Sequence, residues 1–208
     1  MPLARPIAPW SVIPSLLIVV TATGCGGGRP SRLAAPSLNP SGMAAKLIAL
    51  GDENADGSLT GAELDRVPAL KSILAQLDAN GDGGLSTAEL QGWLEGVRDS
   101  RVAITSFTAV VRHKGKPLAE ATLKIEPLPP LATTIKAAEG LTDANGRASP
   151  SISNTTFPGV NCGLYAVRIE GNGNDGKPLP SKYNTETTLG VAVGSGLPPD
   201  GAISFDLE

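Results

Sequence analysis

Apolar residues in the first half of the chain recur at helical spacing; in the second half they alternate. Met43, Leu47, Ile48 and Leu50 predict a short amphipathic helix. Glu63-Leu64 opens a second, which Pro68 closes soon after Val67, because proline has no amide to give a helix interior. Leu70, Ile73, Leu74 and Leu77 form the apolar face of a third. Leu90, Trp93, Leu94 and Val97 form that of a fourth, whose start carries the capping-box sequence Ser86-Thr-Ala-Glu89. Trp93 is expected in the core of so small a helical unit rather than as an anchor for a partner. From Val102 the period changes to two. Val102 to Val111, Ala121 to Ile125, a strand ending near Ile152, Gly163 to Ile169, Thr187 to Val193 and Ala202 to Leu207 read as strands. Turn sequences at Arg112 to Pro117, Pro127 to Pro130 and Thr142 to Arg147 separate the early ones, and a further edge strand is expected within 131–141.

Two stretches between the helices are polar, and they repeat. Asp78-Ala-Asn-Gly-Asp-Gly-Gly-Leu-Ser-Thr-Ala-Glu89, read as a twelve-residue loop, puts Asp78, Asn80 and Asp82 at positions 1, 3 and 5. Gly83 stands at position 6, Gly84 at 7, Leu85 at 8, Ser86 at 9 and Glu89 at 12. Asp52-Glu-Asn-Ala-Asp-Gly-Ser-Leu-Thr-Gly-Ala-Glu63 repeats the pattern with Asp52, Asn54, Asp56, Gly57, Ser58, Leu59, Thr60 and Glu63. A hard divalent cation takes about six to eight oxygens at about 2.3–2.6 Å. Side chains at 1, 3 and 5 converge on one point only if the backbone curls, and glycine at 6 turns the chain without a Cβ penalty. Position 7 offers its carbonyl, so Gly84 suits it; Glu89 and Glu63 would close each shell with both carboxylate oxygens. Hairpin turns at Asp56-Gly57 and Asp82-Gly83 would explain those dipeptides. They would not explain a glutamate at 12 and an apolar residue at 8 in both copies. Leu59 and Leu85 are expected to face each other across a two-strand ribbon that joins the loops and makes binding cooperative.

Residues 43–98 resemble the EF-hand family, specifically its bacterial, extracytoplasmic members. The resemblance implies two calcium sites, with Asp52, Asn54, Asp56, Ser58, Thr60 and Glu63 in one and Asp78, Asn80, Asp82, Gly84, Ser86 and Glu89 in the other. Extracellular modules of this kind bind at about 10⁻⁴–10⁻³ M, against about 10⁻⁷–10⁻⁵ M for sensors.

The N-terminus reads as a secretory signal, with Arg5, an apolar run from Val12 to Val20 and the small residues Thr21-Ala22-Thr23-Gly24 before Cys25. The run is short for a membrane span of about 20 residues. The ending Ala22-Thr-Gly-Cys25 resembles a bacterial lipobox, which implies cleavage of residues 1–24 and lipidation of Cys25; Ala22 stands where such boxes usually have Leu. Residues 25–42, rich in Gly, Pro and Ser, are expected to tether the protein off the membrane. The chain has 2 cysteines, Cys25 and Cys162. With Cys25 lipidated, a disulfide framework is excluded and Cys162 reads as a small apolar residue.

Charged residues make up 18% of the chain at net charge −3, and no basic stripe appears, so a nucleic-acid partner is not expected. Aromatics are 3%, so the core must be built from Leu, Ile, Val and Ala. His113 is the single histidine, which rules out any site needing more than one imidazole. Arg112, Lys114 and Lys116 flank it at a hairpin tip expected to be solvated. Asp143-Ala-Asn-Gly146 begins like a cation loop but has Arg147 and Asn154 where acids would be needed, so a plain turn is expected.

Lys114-Gly-Lys-Pro-Leu118, Thr142-Asp-Ala-Asn-Gly-Arg147, Gly163-Leu-Tyr-Ala-Val-Arg-Ile169 and Pro180-Ser-Lys-Tyr-Asn184 resemble phrases of carboxypeptidase regulatory-like, or prealbumin-like, domains of bacterial envelope lipoproteins. The resemblance spans 102–208 and implies a β-sandwich without catalytic residues. The expected architecture is therefore multidomain α and β: a small helical EF-hand pair (43–98) followed by an antiparallel β-sandwich (102–208). The expected function is a calcium-binding cell-envelope lipoprotein, outward-facing and membrane-anchored by lipid, serving as a Ca-stabilised structural or adhesive module. The alternative is a calcium-dependent recognition module docking a protein or glycan partner, as dockerin-like pairs do. An enzyme is not expected, because the carboxylates are committed to cation shells and no acid pair or Ser/His grouping stands elsewhere.

Overall fold

The computed structural model describes residues 33–155, 158–194 and 196–208. The expected signal segment, the lipobox with Cys25 and the first part of the tether lie outside the described residues. Among the described residues, no helix is long and apolar enough to cross a membrane. Leu33–Glu208 forms one compact unit of helices and mainly antiparallel sheets.

The helical half runs α1 (Pro40–Ile48), β1 (Ser58–Leu59), α2 (Ala62–Arg66), α3 (Pro68–Ser72), α4 (Leu74–Leu77), β2 (Leu85–Ser86) and α5 (Thr87–Ser100). Helix α1 starts earlier than the apolar spacing suggests, because Asn39 caps it by accepting from the Gly42 amide and Pro40 occupies its first turn. Pro68 ends one helix and begins the next, as its missing amide dictates. The helix expected over Leu70 to Leu77 is broken at Ile73. Ser72 turns its hydroxyl back onto the Ala69 carbonyl at 2.9 Å, a local bond that competes with helix continuation. The capping box at α5 is present in full. Buried Leu47, Ile48, Leu64, Leu70, Leu77, Leu90 and Leu94 make the core of this half, and Trp93 is half-buried against it.

The β half contains β3 (Thr108–His113), β4 (Lys116–Pro117), β5 (Thr122–Pro127), β6 (Ala138–Leu141), β7 (Arg147–Ala148), β8 (Gly163–Glu170), β9 (Leu189–Val193) and β10 (Ala202–Leu207). The edge strand expected within 131–141 is β6. One sheet has the order β6-β5-β8-β9, antiparallel throughout. In the other, β3 pairs with β10 along one edge and with β4 and β7 along the opposite edge. The expectation of a purely antiparallel β architecture is corrected here: β10 runs parallel to β3 over six register pairs, from Ala202 with Thr108 to Leu207 with His113. Period-two patterning places a strand but says nothing of its neighbour's direction. The strand expected from Val102 begins only at Thr108, where β10 becomes available; before it, Thr105 makes an isolated bridge to Val160.

Inward residues of both sheets, among them Val111, Leu123, Ile125, Val167 and Ile169, join the helical residues in one continuous buried cluster. Cys162 is free and buried within it, and burial pushes its thiol pKa up. At the hairpin tip, Arg112 and Lys114 are exposed and face Asp206 and Asp175. His113 departs from the solvated-tip expectation: it is buried, and its Nδ1 accepts the Asn174 amide at 2.9 Å.

Candidate metal centre

The two polar repeats fold into closely matching loops, with corresponding hydrogen bonds at positions 1, 3, 5 and 12. At position 1, Asp52 Oδ2 accepts from the Gly57 amide at 3.0 Å and Asp78 Oδ2 from the Gly83 amide at 2.9 Å. At position 3, Asn54 Oδ1 accepts from the Asp56 amide at 2.8 Å and Asn80 Oδ1 from the Asp82 amide at 2.9 Å. Each asparagine also donates from Nδ2 to the aspartate two residues on, at 2.8 Å in both loops. At position 5, Asp56 Oδ1 accepts from the Ser58 amide at 2.9 Å and Asp82 Oδ1 from the Gly84 amide at 2.8 Å. The reversal at position 6 puts Gly57 at φ +83 and Gly83 at φ +79, a region open to glycine without strain.

The position-12 glutamates complete the correspondence. Glu63 Oε1 accepts from the Glu53 and Asn54 amides at 3.1 and 3.4 Å, and its Oε2 from the Thr60 amide at 3.2 Å. Glu89 Oε1 accepts from the Ala79 and Asn80 amides at 3.0 and 3.2 Å, and its Oε2 from the Ser86 amide and hydroxyl at 2.9 and 2.7 Å. Each glutamate thus spans its loop from the first residues to the last.

The loops are tied to each other. Ser58 and Leu59 pair antiparallel with Ser86 and Leu85, so that Leu59 stands opposite Leu85, both fully buried. The Thr87 amide and hydroxyl both donate to the Gly57 carbonyl, at 3.0 and 2.9 Å. Beside this ribbon, Ser58 and Thr60 of loop one and Asp82, Gly84 and Ser86 of loop two line a single hollow of about 400 Å³.

The expectation that the carboxylates of each loop crowd together is not met. Among the described residues, no three His, Cys, Asp or Glu side chains gather as a group able to hold a metal. The physical reason lies in the hydrogen bonds: Asn54 and Asn80 occupy one oxygen of Asp56 and of Asp82, and both glutamates are spent on amides. For Glu63 or Glu89 to ligate, it must give up those amides. One observation fits a cation all the same. Asp52 Oδ1 is buried and has no hydrogen-bond partner, an arrangement that costs about 1–3 kcal/mol unless something electropositive meets it. The corresponding oxygen of Asp78 accepts from the Gly81 amide at 2.6 Å. The donor set in both loops is oxygen throughout, as a hard cation requires.

The amide of Thr60, with those of Glu53 and Asn54, holds the Glu63 carboxyl below its ordinary pKa; the Ser86 amide and hydroxyl do the same for Glu89. A carboxyl whose pKa is lower folded than unfolded stabilises the fold above the unfolded value of about 4.3, and that contribution disappears as pH falls through the folded value. Metal-free protein is therefore expected to hold a flat melting temperature from neutrality down to about pH 5 and to lose it progressively below about pH 4. Melting curves from pH 3 to 7 check this, and Glu63→Gln is expected to flatten the acid limb.

Comparison of the chain with models of known protein families and with curated proteins found no match.

Proposed function

We propose that the chain is a calcium-binding lipoprotein of the bacterial cell envelope, in which an EF-hand pair stabilises a structural or adhesive module. The observation that carries the calcium part is the set of matching hydrogen bonds at positions 1, 3, 5 and 12 of the two loops. Two unrelated surface turns have no reason to share position-1, -3, -5 and -12 contacts and a central leucine pair. The unsatisfied Asp52 Oδ1 adds a place where positive charge is wanted. Asp52, Asn54, Asp56, Ser58, Thr60 and Glu63 would hold one ion, and Asp78, Asn80, Asp82, Gly84, Ser86 and Glu89 the second. The β half, with two sheets over a shared core, supports the reading of a prealbumin-like sandwich in which the sheet of β3 and β10 carries one parallel pair. The carboxylates are assigned to cation binding and none to catalysis. The envelope part of the proposal rests on the sequence of residues 1–25.

Native mass spectrometry of the mature full-length chain tests both parts together. The expected spectrum shows two calcium ions per chain, removed by chelator, and a mass increment on Cys25 matching acylation. Absence of any calcium adduct at millimolar concentration would end the calcium proposal, and an unmodified Cys25 the lipoprotein part.

The alternative, calcium-dependent docking of a protein or glycan, has one observation on its side. Beside Glu89, Leu77, Ala79, Ala88 and Trp93 line a mainly apolar hollow of about 390 Å³, and the Trp93 indole N–H is buried without an acceptor. Calcium-dependent binding to one defined envelope protein or glycan, lost in Trp93→Ala, would favour it.

A further inference from the structure

We infer that cation binding at the loops is transmitted to the β half through strand β9, which is gripped at both ends by the segments that enter and leave loop two. The inference rests on the calcium proposal and extends it from the loops to the sheet beyond them.

The contact is made at two glycines, Gly190 near the start of β9 and Gly194 just past its end. At Gly190, helix α3 lies on the strand so closely that an added Cβ would run into the Ala69 carbonyl and stand 2.9 Å from Ser72 Oγ. At Gly194, just past the end of β9, an added Cβ would stand 3.1 Å from Val97 and 3.5 Å from the Trp93 ring, both on α5. Helix α3 leads through α4 into loop two, and α5 leaves it. The strand therefore bridges the two arms of the loop.

On its other side β9 belongs to the sheet. It pairs with β8 over Gly163 to Val193 through Val167 to Leu189. Ala69, Leu70, Val97, Val191 and Val193 are all buried, so the seat is dry. Parting the arms of loop two, as sensor-type EF-hands do on binding, would lift α3 or α5 off the strand and expose this surface. Peeling β9 from β8 would in turn remove the floor on which both arms rest. The seat makes the loop pair stiff and makes the exposure of β9 depend on loop integrity. A ligand that binds the closed arrangement alone lowers the open population by the factor 1 + [L]/Kd.

Cys162 reports on the sheet side, since it is buried and adjoins Gly163, the β8 residue paired with Val193 at the end of β9. The experiment uses the full chain with Cys25→Ser, which leaves Cys162 as the single thiol. Its labelling rate by an aromatic disulfide is followed against calcium concentration, with isothermal calorimetry of calcium binding on the same sample. The expected result is saturable slowing with the calorimetric midpoint, about tenfold at ten times Kd where opening releases one ion. Gly190→Ala should keep a binding heat and lose most of that slowing, because its methyl pushes α3 from the seat. Should that variant fail to fold, the parent chain alone decides. Binding heat with a calcium-independent labelling rate would overturn the coupling and leave the calcium sites standing. Undiminished slowing in a folded Gly190→Ala would overturn the role of the seat. No heat at millimolar calcium would remove the calcium proposal and the coupling with it.

Discussion

Leu85→Ala should destabilise the chain by about 2–5 kcal/mol and weaken cation binding at both loops together. Leu85 is fully buried, stands opposite Leu59 in the ribbon and sits between the acids of loop two and its exit helix. Removing its side chain leaves a cavity that two short strands cannot close, since each has only two residues and the ribbon is anchored at both ends. Because the ribbon is shared, loop one loses its support for Ser58 and Thr60 as loop two loses its own. Denaturant unfolding of metal-free protein measures the first effect, and a two-site calorimetric fit measures the second. A stability loss below about 1 kcal/mol, or a weakened second site beside an unchanged first, would show that the ribbon does not join the loops as described.

Glu89→Gln should separate the structural task of this residue from its proposed ligating task. In the folded chain Glu89 accepts from four donors, the amides of Ala79, Asn80 and Ser86 and the Ser86 hydroxyl. Glutamine keeps a carbonyl for part of that set but loses the charge and one acceptor. Its stability cost is expected at about 1 kcal/mol, the scale of a helix-cap loss, because the side chain is partly open to water. Affinity at loop two is expected to fall at least about 100-fold, since even outer partners of metal ligands cost about 10–100-fold. Glu89→Ala should lose the affinity equally and the stability more. Calorimetry and melting on the three proteins decide it, and wild-type affinity in Glu89→Gln would remove this glutamate from the cation site.

What could be read from the chain beforehand was whatever is written in local spacing. The capping box at Ser86 and Glu89 and the break at Pro68 depend on residues within one turn, the ribbon pair Leu59 and Leu85 on a loop pattern that repeats, and all are in place. The parallel pairing of β10 with β3 was not legible, because alternation carries no directional information. Nor was the seat on β9: a lone glycine in an apolar strand marks a close approach without naming what approaches. Gly51 shows the same limit. It stands directly before loop one, where a side chain would meet the Glu63 carbonyl at 2.8 Å and Val67 at 2.9 Å. The glutamate hydrogen bonds were half legible: the capping box foretold the Ser86 contact of Glu89, but nothing in the spacing foretold amides of the first loop residues as competitors for the carboxylate.

The central claim is that two matching loops each take one hard cation. Its most direct test is a calcium titration of the isotopically labelled full chain followed by amide resonances. The Gly57 and Gly83 amides each donate to the position-1 aspartate, so ion binding at that carboxylate must polarise them. The expected result is saturable displacement of both resonances, with loop-two amides at Ala79 and Asn80 moving as Glu89 releases them. Both glycine resonances standing still up to millimolar calcium would contradict the account.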